Sequence, residues 1–176
     1  MFTDLGASAR EVRTAGDLAG LDGLVIPGGE STTMGLLMEK GGLTGPLRDF
    51  MRDRPALGTC AGLIMMATAT TDGSQPLLRV MDVTVRRNAF GRQTRSFEAL
   101  VDLCLTPDAS EPFHGIFIRA PWVEAMGPGV EVIARCGEHV VGVRQDHLVG
   151  VAFHPELGDD PRLHAYFLDL VVASGH

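Results

Sequence analysis

Three short segments carry residue types that can do acyl chemistry. "LGTCAGLIMMA" places Cys60 between Gly58 and Gly62, just after one apolar run and just before another. Gly-x-nucleophile-x-Gly is the pattern of a nucleophile elbow, in which small residues let a strand and a helix approach and tolerate a strained backbone at the nucleophile. It also puts the cysteine at a helix N-terminus, where the dipole and unpaired N–H groups favour negative charge on sulfur. "VAFHPE" supplies a base: the apolar run Leu148 to Phe153 ends in His154, and Glu156 is near enough to fix the ring's tautomer and stabilise an imidazolium. In "PGGES", Gly28 and Gly29 expose backbone N–H groups that, with the N–H of Ala61, could form an oxyanion hole, with Glu30 and Ser31 as polar groups beside it.

Taken singly, each segment has a plainer alternative. A lone cysteine is usually a small buried hydrophobe. A lone histidine is usually a core or surface residue. "PGGE" is most simply an ordinary turn, and the missing lysine argues against a phosphate loop. Together, and in this chain order, they favour a Cys60–His154–Glu156 triad.

The elements that must position these groups are legible in the hydrophobic pattern. "DGLVIPGGEST" reads as a buried strand, Leu24 to Ile26, a Gly-rich turn and a helix for which Ser31 and Thr32 are good N-cap types. A second helix is predicted over roughly Pro46 to Arg52, with proline in its first turn. "PALGT" is a short strand leading to Cys60, and "AGLIMMATA", apolar on every side, reads as a helix buried in the core with Met65 and Met66 as filler. Period-two alternation comes next at Phe97, Ala99, Val101, Leu103 and Leu105, and again at Val130, Val132, Ala134 and Cys136. "IFIRAP", "HVVGVRQ" and "HLVGVAFH" are further strands. Leu163, Tyr166, Phe167, Leu170 and Val171 mark one face of a closing helix. Strand–helix units succeeded by several strands and a last helix predict an α/β three-layer sandwich with a mixed, largely parallel sheet. Strand-end His154 and Cys60 suit such a sheet, which gathers active groups at strand ends.

The chain has 176 residues, enough for one domain over residues 1–176 with a core that needs no staples. No repeat, linker or low-complexity segment divides it. A formal charge of −7 argues against nucleic acid as a partner. Charge, Gly or Pro breaks every apolar run, so no membrane span is predicted, and "MFTDLGASAREV" lacks the pattern of a signal peptide. Three widely spaced cysteines, Cys60, Cys104 and Cys136, predict neither a disulfide framework nor a zinc site, and reduced thiols point to the cytoplasm. Cys104 and Cys136 are expected in the core. His114, His139, His147 and His164 lack ligand spacing and read as structural or exposed. Arg86, Arg92 and Arg95 form a local basic cluster, either a solvated loop or a partner contact.

In this combination the PGG turn, GxCxG elbow and late HPE resemble the class I, triad-type glutamine amidotransferases, which have a flavodoxin-like fold. "LVIPGGESTTM", "GTCAGLI", "VRRNAFGRQ", "SFEA", "FIRAPWVE" and "FHPEL" narrow the likeness to the glutaminase subunits of pyridoxal 5′-phosphate synthase. The likeness runs from about Leu5 to the last helix. It implies hydrolysis of L-glutamine to glutamate and ammonia through a thioester on Cys60, with His154 as acid and base and Glu156 orienting it. It implies glutamine binding by Gly29, Glu30, Ser31, Arg87, Ile118 and Arg119, with Arg87 suited to hold the α-carboxylate through two hydrogen bonds. It implies no metal and no organic cofactor, weak activity until the partner docks, and delivery of ammonia to a synthase subunit in a hetero-oligomer.

The same likeness implies that family chains begin earlier, with an apolar strand, an "LQG" turn and a helix rich in "REH". The strand and most of the helix have no counterpart here, which fits a start codon assigned too late. Loss of an interior strand could exceed the roughly 5–15 kcal/mol that holds a typical domain together. Two alternatives therefore stand beside an active glutaminase. One is a non-catalytic assembly or regulatory subunit. The other is a glutaminase of another amidotransferase such as imidazole-glycerol-phosphate synthase, against which "GGESTTM" and "RNAFGRQ" count.

Overall fold

The computed structural model describes residues 1–91, 96–106 and 112–175. Among these residues, ten strands and four α-helices come after a 3₁₀ turn at Ala15–Leu18, with a second 3₁₀ turn at Pro155–Leu157. They are β1 (Leu24–Ile26), α1 (Ser31–Lys40), α2 (Thr44–Asp53), β2 (Ala56–Thr59), α3 (Ala61–Met66), β3 (Ala67–Thr70), β4 (Met81–Arg86), β5 (Ser96–Leu103), β6 (Phe113–Ile118), β7 (Trp122–Met126), β8 (Glu131–Cys136), β9 (His139–Gln145), β10 (Leu148–Val151) and α4 (Arg162–Ser174). The main sheet runs β1-β2-β10-β9-β7-β4-β3, with β5, β6 and β8 branching from it.

Pairing is mixed, as expected, but its parallel share is smaller than the sequence pattern predicts. Parallel ladders are confined to β1–β2, β2–β10 and β3–β4. Strands β4 to β10 otherwise pair antiparallel. The reason is connection length: the second half of the chain joins successive strands by short turns, and a parallel pair needs a long crossover.

Helices cover both faces. Ala56 and Leu57 of β2 and Val149 and Val151 of β10 are fully buried, as strands covered on both sides must be. On one face α3 lies so close that a Cβ on Gly58 would meet Gly62, one on Gly62 would meet the Ile26 carbonyl, and one on Gly150 would meet Leu63. Phe167 and Val171 of α4 pack at Gly23, whose side-chain direction alternates away from Leu24 and Ile26, so α4 covers the opposite face.

Three local readings are corrected. The buried helix predicted across "AGLIMMATA" ends at Met66, because Leu78 and Val80 donate their N–H groups to the carbonyls of Met65 and Met66. Ala67–Thr70 then runs as β3 beside β4. The N-cap of α1 is Glu30, not Ser31 or Thr32: its carboxylate accepts from the N–H groups of Thr32 and Thr33. Cys104 is exposed and Cys136 only partly buried. Cys104 comes directly after β5 at an outward position of its alternation, tied to the sheet by its backbone N–H to the Ile133 carbonyl.

Candidate active site

β1, β2 and β10 are neighbouring parallel strands in register, Ile26 opposite Gly58 and Gly58 opposite Gly150. All three therefore end at one edge, where the chain continues into PGGES, Cys60 and the segment carrying His154. This is the general rule that open α/β sheets place their chemistry beyond the carboxyl ends of the strands.

At the end of β2 the chain turns sharply. Cys60 has φ 50 and ψ −104, a region that non-glycine residues rarely occupy. Its N–H donates to the Val151 carbonyl at 2.8 Å, which ties the turn to β10. The turn exists because Gly58 and Gly62 allow α3 to fold back against the strand it leaves. The sulfur is 7% exposed as part of its residue, and Sγ lies 3.7 Å from the Ile118 carbonyl oxygen.

His154 arrives from β10, its N–H donating to the Ile116 carbonyl at 2.8 Å. Its Nδ1 lies 2.7 Å from Glu156 Oε1. That leaves the other ring nitrogen free of Glu156, and Cys60 is the largest influence on the ring's charge. The interaction with Cys60, then the hydrogen bond with Glu156, outweighs burial and lifts the imidazole to about 10. Glu156 shows the complement: burial raises its carboxyl, but the hydrogen bond to His154 and further charge contacts hold it below its ordinary value. Gly28 closes the back of the site. A Cβ there would sit 2.4 Å from His154 Cε1, so the ring leaves no room for a side chain at this position.

The expected glutamine-pocket residues cluster beside this triad. Gly29 leads into α1, and Glu30 uses its carboxylate to cap the helix. Bonds from the Thr33 hydroxyl, then the N–H groups of Thr33 and Thr32, hold that carboxyl down to about 2. The side chain of Glu30 is thus committed to α1. Ser31 is buried, and its hydroxyl donates to Gln75 Oε1 at 3.3 Å. Arg87 donates through Nε to Asp72 Oδ2 at 3.0 Å, and through Nη1 to Thr32 Oγ1 at 3.1 Å and to Gln75 Oε1. Two of its three nitrogens, Nε and Nη1, are engaged within the protein. Ile118 ends β6 and Arg119 comes next, with a left-handed φ of 44. The N–H of Ala89 donates to the Ala120 carbonyl, which joins the segment after Arg87 to the turn carrying Arg119. The N–H of Ala61, in the first turn of α3, has no acceptor within the helix.

Gln75 and Asp72 belong to this cluster and were missed from sequence. They lie in the "TTDGSQPLL" loop, where nothing but polarity marks them. Of the expected basic cluster, Arg86 pairs with Glu124 at 2.9 Å, while Arg92 and Arg95 lie outside the described residues. The other histidines have structural settings: His114 beside Glu98, His139 stacked on Trp122, His147 bonded to the Met51 carbonyl, and His164 buried edge-on to Phe2. Among the described residues no helix is long and apolar enough to cross a membrane.

Comparisons with known proteins place nearly the whole chain in one family. A model of the SNO glutamine amidotransferase family matches residues 2–173. A Frankia alni protein named pyridoxal 5′-phosphate synthase subunit PdxT is 52% identical over 177 residues, covering 99% of this chain and 88% of that protein. Its namesake in Desulforudis audaxviator is 52% identical over 167 residues, covering 94% and 87%. A crystal structure of a glutamine amidotransferase superposes with a TM-score of 0.90 at 44% identity, covering 97% of this chain and 90% of that one. A Thermoplasma acidophilum protein described as a GMP synthase subunit shares the fold, with a TM-score of 0.61 at 15% identity over 91% of this chain and 77% of that one. With a family match that spans nearly the whole chain, the protein belongs to the SNO glutamine amidotransferase family.

Proposed function

We propose that residues 1–176 act as one glutaminase domain that hydrolyses L-glutamine and passes ammonia to the synthase subunit of a pyridoxal 5′-phosphate synthase. The observation that carries this is the Cys60–His154–Glu156 chain at the common end of β2 and β10, with Cys60 held in a strained turn. Arg87 Nη2 holds the α-carboxylate of glutamine, and the Ile118–Arg119 turn closes the pocket over the side chain. His154 takes the thiol proton of Cys60, and Sγ attacks the carboxamide carbon. The oxygen becomes an oxyanion facing the N–H groups of Gly29 and Ala61. His154 gives the proton it took from the thiol to the amide nitrogen as the C–N bond breaks, and ammonia leaves. A γ-glutamyl thioester remains. His154, now neutral, takes a proton from water, and the hydroxide displaces Cys60 to give glutamate. Glu156 holds the ring through Nδ1 in both steps.

The choice of acceptor rests on the relatives named PdxT, and three free cysteines suit the reducing cytoplasm. The test is glutamate release from L-glutamine, with and without a pyridoxal phosphate synthase subunit, using Cys60→Ala as the blank. Release that depends on Cys60 and rises with that subunit supports the proposal. Equal release from Cys60→Ala removes the triad, and stimulation only by an imidazole-glycerol-phosphate synthase subunit reassigns the acceptor.

A further inference from the structure

The Gln75 carboxamide sits at the junction of two parts of the glutamine pocket. Its Oε1 accepts from the Ser31 hydroxyl and the Thr32 hydroxyl, each at 3.3 Å, and from Arg87 Nη1. The first two belong to the N-terminal turn of α1, and the third lies just beyond β4. One oxygen therefore joins the PGGES segment to the arginine. Arg87 is held from its other side by Asp72, and its side chain is 25% exposed, so it reaches solvent with little freedom to turn. The cost of this arrangement is visible: Gln75 Nε2 is buried with no hydrogen-bond partner among the described residues. A buried amide nitrogen left unpaired is unfavourable, and a glutamine chosen only for packing or stability would be a poor choice here. A glutamate would bond Arg87 more strongly and would remove the orphan donor.

We infer that Gln75 is a positioning residue for substrate binding, kept neutral so that it aims Arg87 without quenching its charge. Its oxygen fixes Nη1 and turns Nη2 toward the substrate's α-carboxylate. Being uncharged, it adds no second carboxylate beside that of Asp72, so the guanidinium keeps more of its positive charge for the substrate. A carboxylate at the same place would satisfy the local bonding and repel the ligand. The inference rests on the glutaminase reading given above.

The two readings separate in a binding measurement that needs no turnover. L-Glutamine is titrated calorimetrically into Cys60→Ala and into Cys60→Ala carrying Gln75→Glu, each with synthase subunit present. The dissociation constant should rise about ten- to a hundred-fold on Gln75→Glu, the range for loss of a charge-assisted hydrogen bond. The melting temperature should stay equal or rise. In the enzyme with Cys60 intact, KM should rise by the same factor while kcat is retained. Gln75→Met, which keeps the volume but removes the acceptor shared by Ser31, Thr32 and Arg87, should lower the melting temperature and also raise KM. Loss of a purely structural glutamine would lower the melting temperature while leaving KM alone, and that result overturns the inference. Equal affinity in both backgrounds overturns it too, with the glutaminase reading intact. If Cys60→Ala binds no glutamine at all, the glutaminase reading fails and this inference fails with it.

Discussion

Replacing Gly28 by alanine tests the placement of the general base through a single methyl group. The position has no left-handed φ, so alanine brings no backbone strain of its own. The added carbon would stand 2.4 Å from His154 Cε1, 3.1 Å from Nδ1 and 3.4 Å from Nε2. Carbon atoms in contact sit about 3.5–4.0 Å apart, so the ring or the strand must give way by about 1 Å. The ring cannot easily retreat, because its side chain is 11% exposed and its backbone is bonded to Ile116. A shift of that size separates the ring from Cys60 or stretches the 2.7 Å bond to Glu156. A displacement of about 1 Å at a reacting group costs on the order of a hundred-fold in rate, or about 2.7 kcal/mol of barrier. The assay is kcat/KM for glutamate release with the synthase subunit present, with melting temperature as a check on folding. Gly45→Ala is the control: it lies in α2, nothing stands within 4 Å of its added carbon, and it should leave both readouts unchanged or slightly raise stability. A folded Gly28→Ala protein with kcat/KM equal to wild type would refute the reasoning, since the ring would then be free to stand elsewhere.

Glu156→Gln should slow glutamate release by at least about ten-fold, because the ring loses its orienting charge. It should also lower the His154 titration from about 10 toward 6.5, read from the imidazole proton resonances. Stability contributed by the imidazolium is fully present below pH 6.5 and is lost as pH rises through about 10, so the melting temperature should fall across that window and fall less in Glu156→Gln. A flat wild-type profile would mean that the ring is not held as a cation. Arg87→Lys keeps the charge but cannot serve Asp72, Thr32 and Gln75 together, so KM for glutamine should rise about ten-fold or more. Gly62→Ala would put a carbon 1.9 Å from the Ile26 carbonyl oxygen, and chemical denaturation should show a loss of at least about 1–3 kcal/mol, the cost of overpacking.

Much of the site could be read from sequence because its three segments come directly after continuous apolar runs. Leu24–Ile26, Ala56–Thr59 and Leu148–Val151 are buried parallel strands, and such strands deliver their succeeding loops to one edge. The remainder depended on partners distant in the chain. Nothing in "AGLIMMATA" stops a helix at Met66; the carbonyls that end it are satisfied by Leu78 and Val80. Glu30, Ser31 and Thr32 are all able to cap, and the turn after Gly29 decides which one does. Gln75 carries no periodicity or motif, and its importance comes from meeting Arg87 and Ser31 in space. The excess of antiparallel pairing came from turn lengths that the strand patterns alone did not weigh.

Cys60 satisfies both readings that its sequence context left open. It is buried, as a structural thiol would be. Burial alone, however, does not account for its backbone. A structural cysteine at the end of β2 could continue in extended or helical geometry at no cost, whereas φ 50 carries strain of about 1–3 kcal/mol. That strain is maintained by neighbours that serve no other evident end: the bond to Val151, and two glycines packed too closely for any side chain. What the strained turn achieves is direction. It brings Sγ out of the strand's alternation to the Ile118 carbonyl and the His154 ring, at the one sheet edge where PGGES and Arg87 also converge. The burial of Cys60 is therefore part of its reactivity: the sulfur meets only what the pocket admits, with its base already in place.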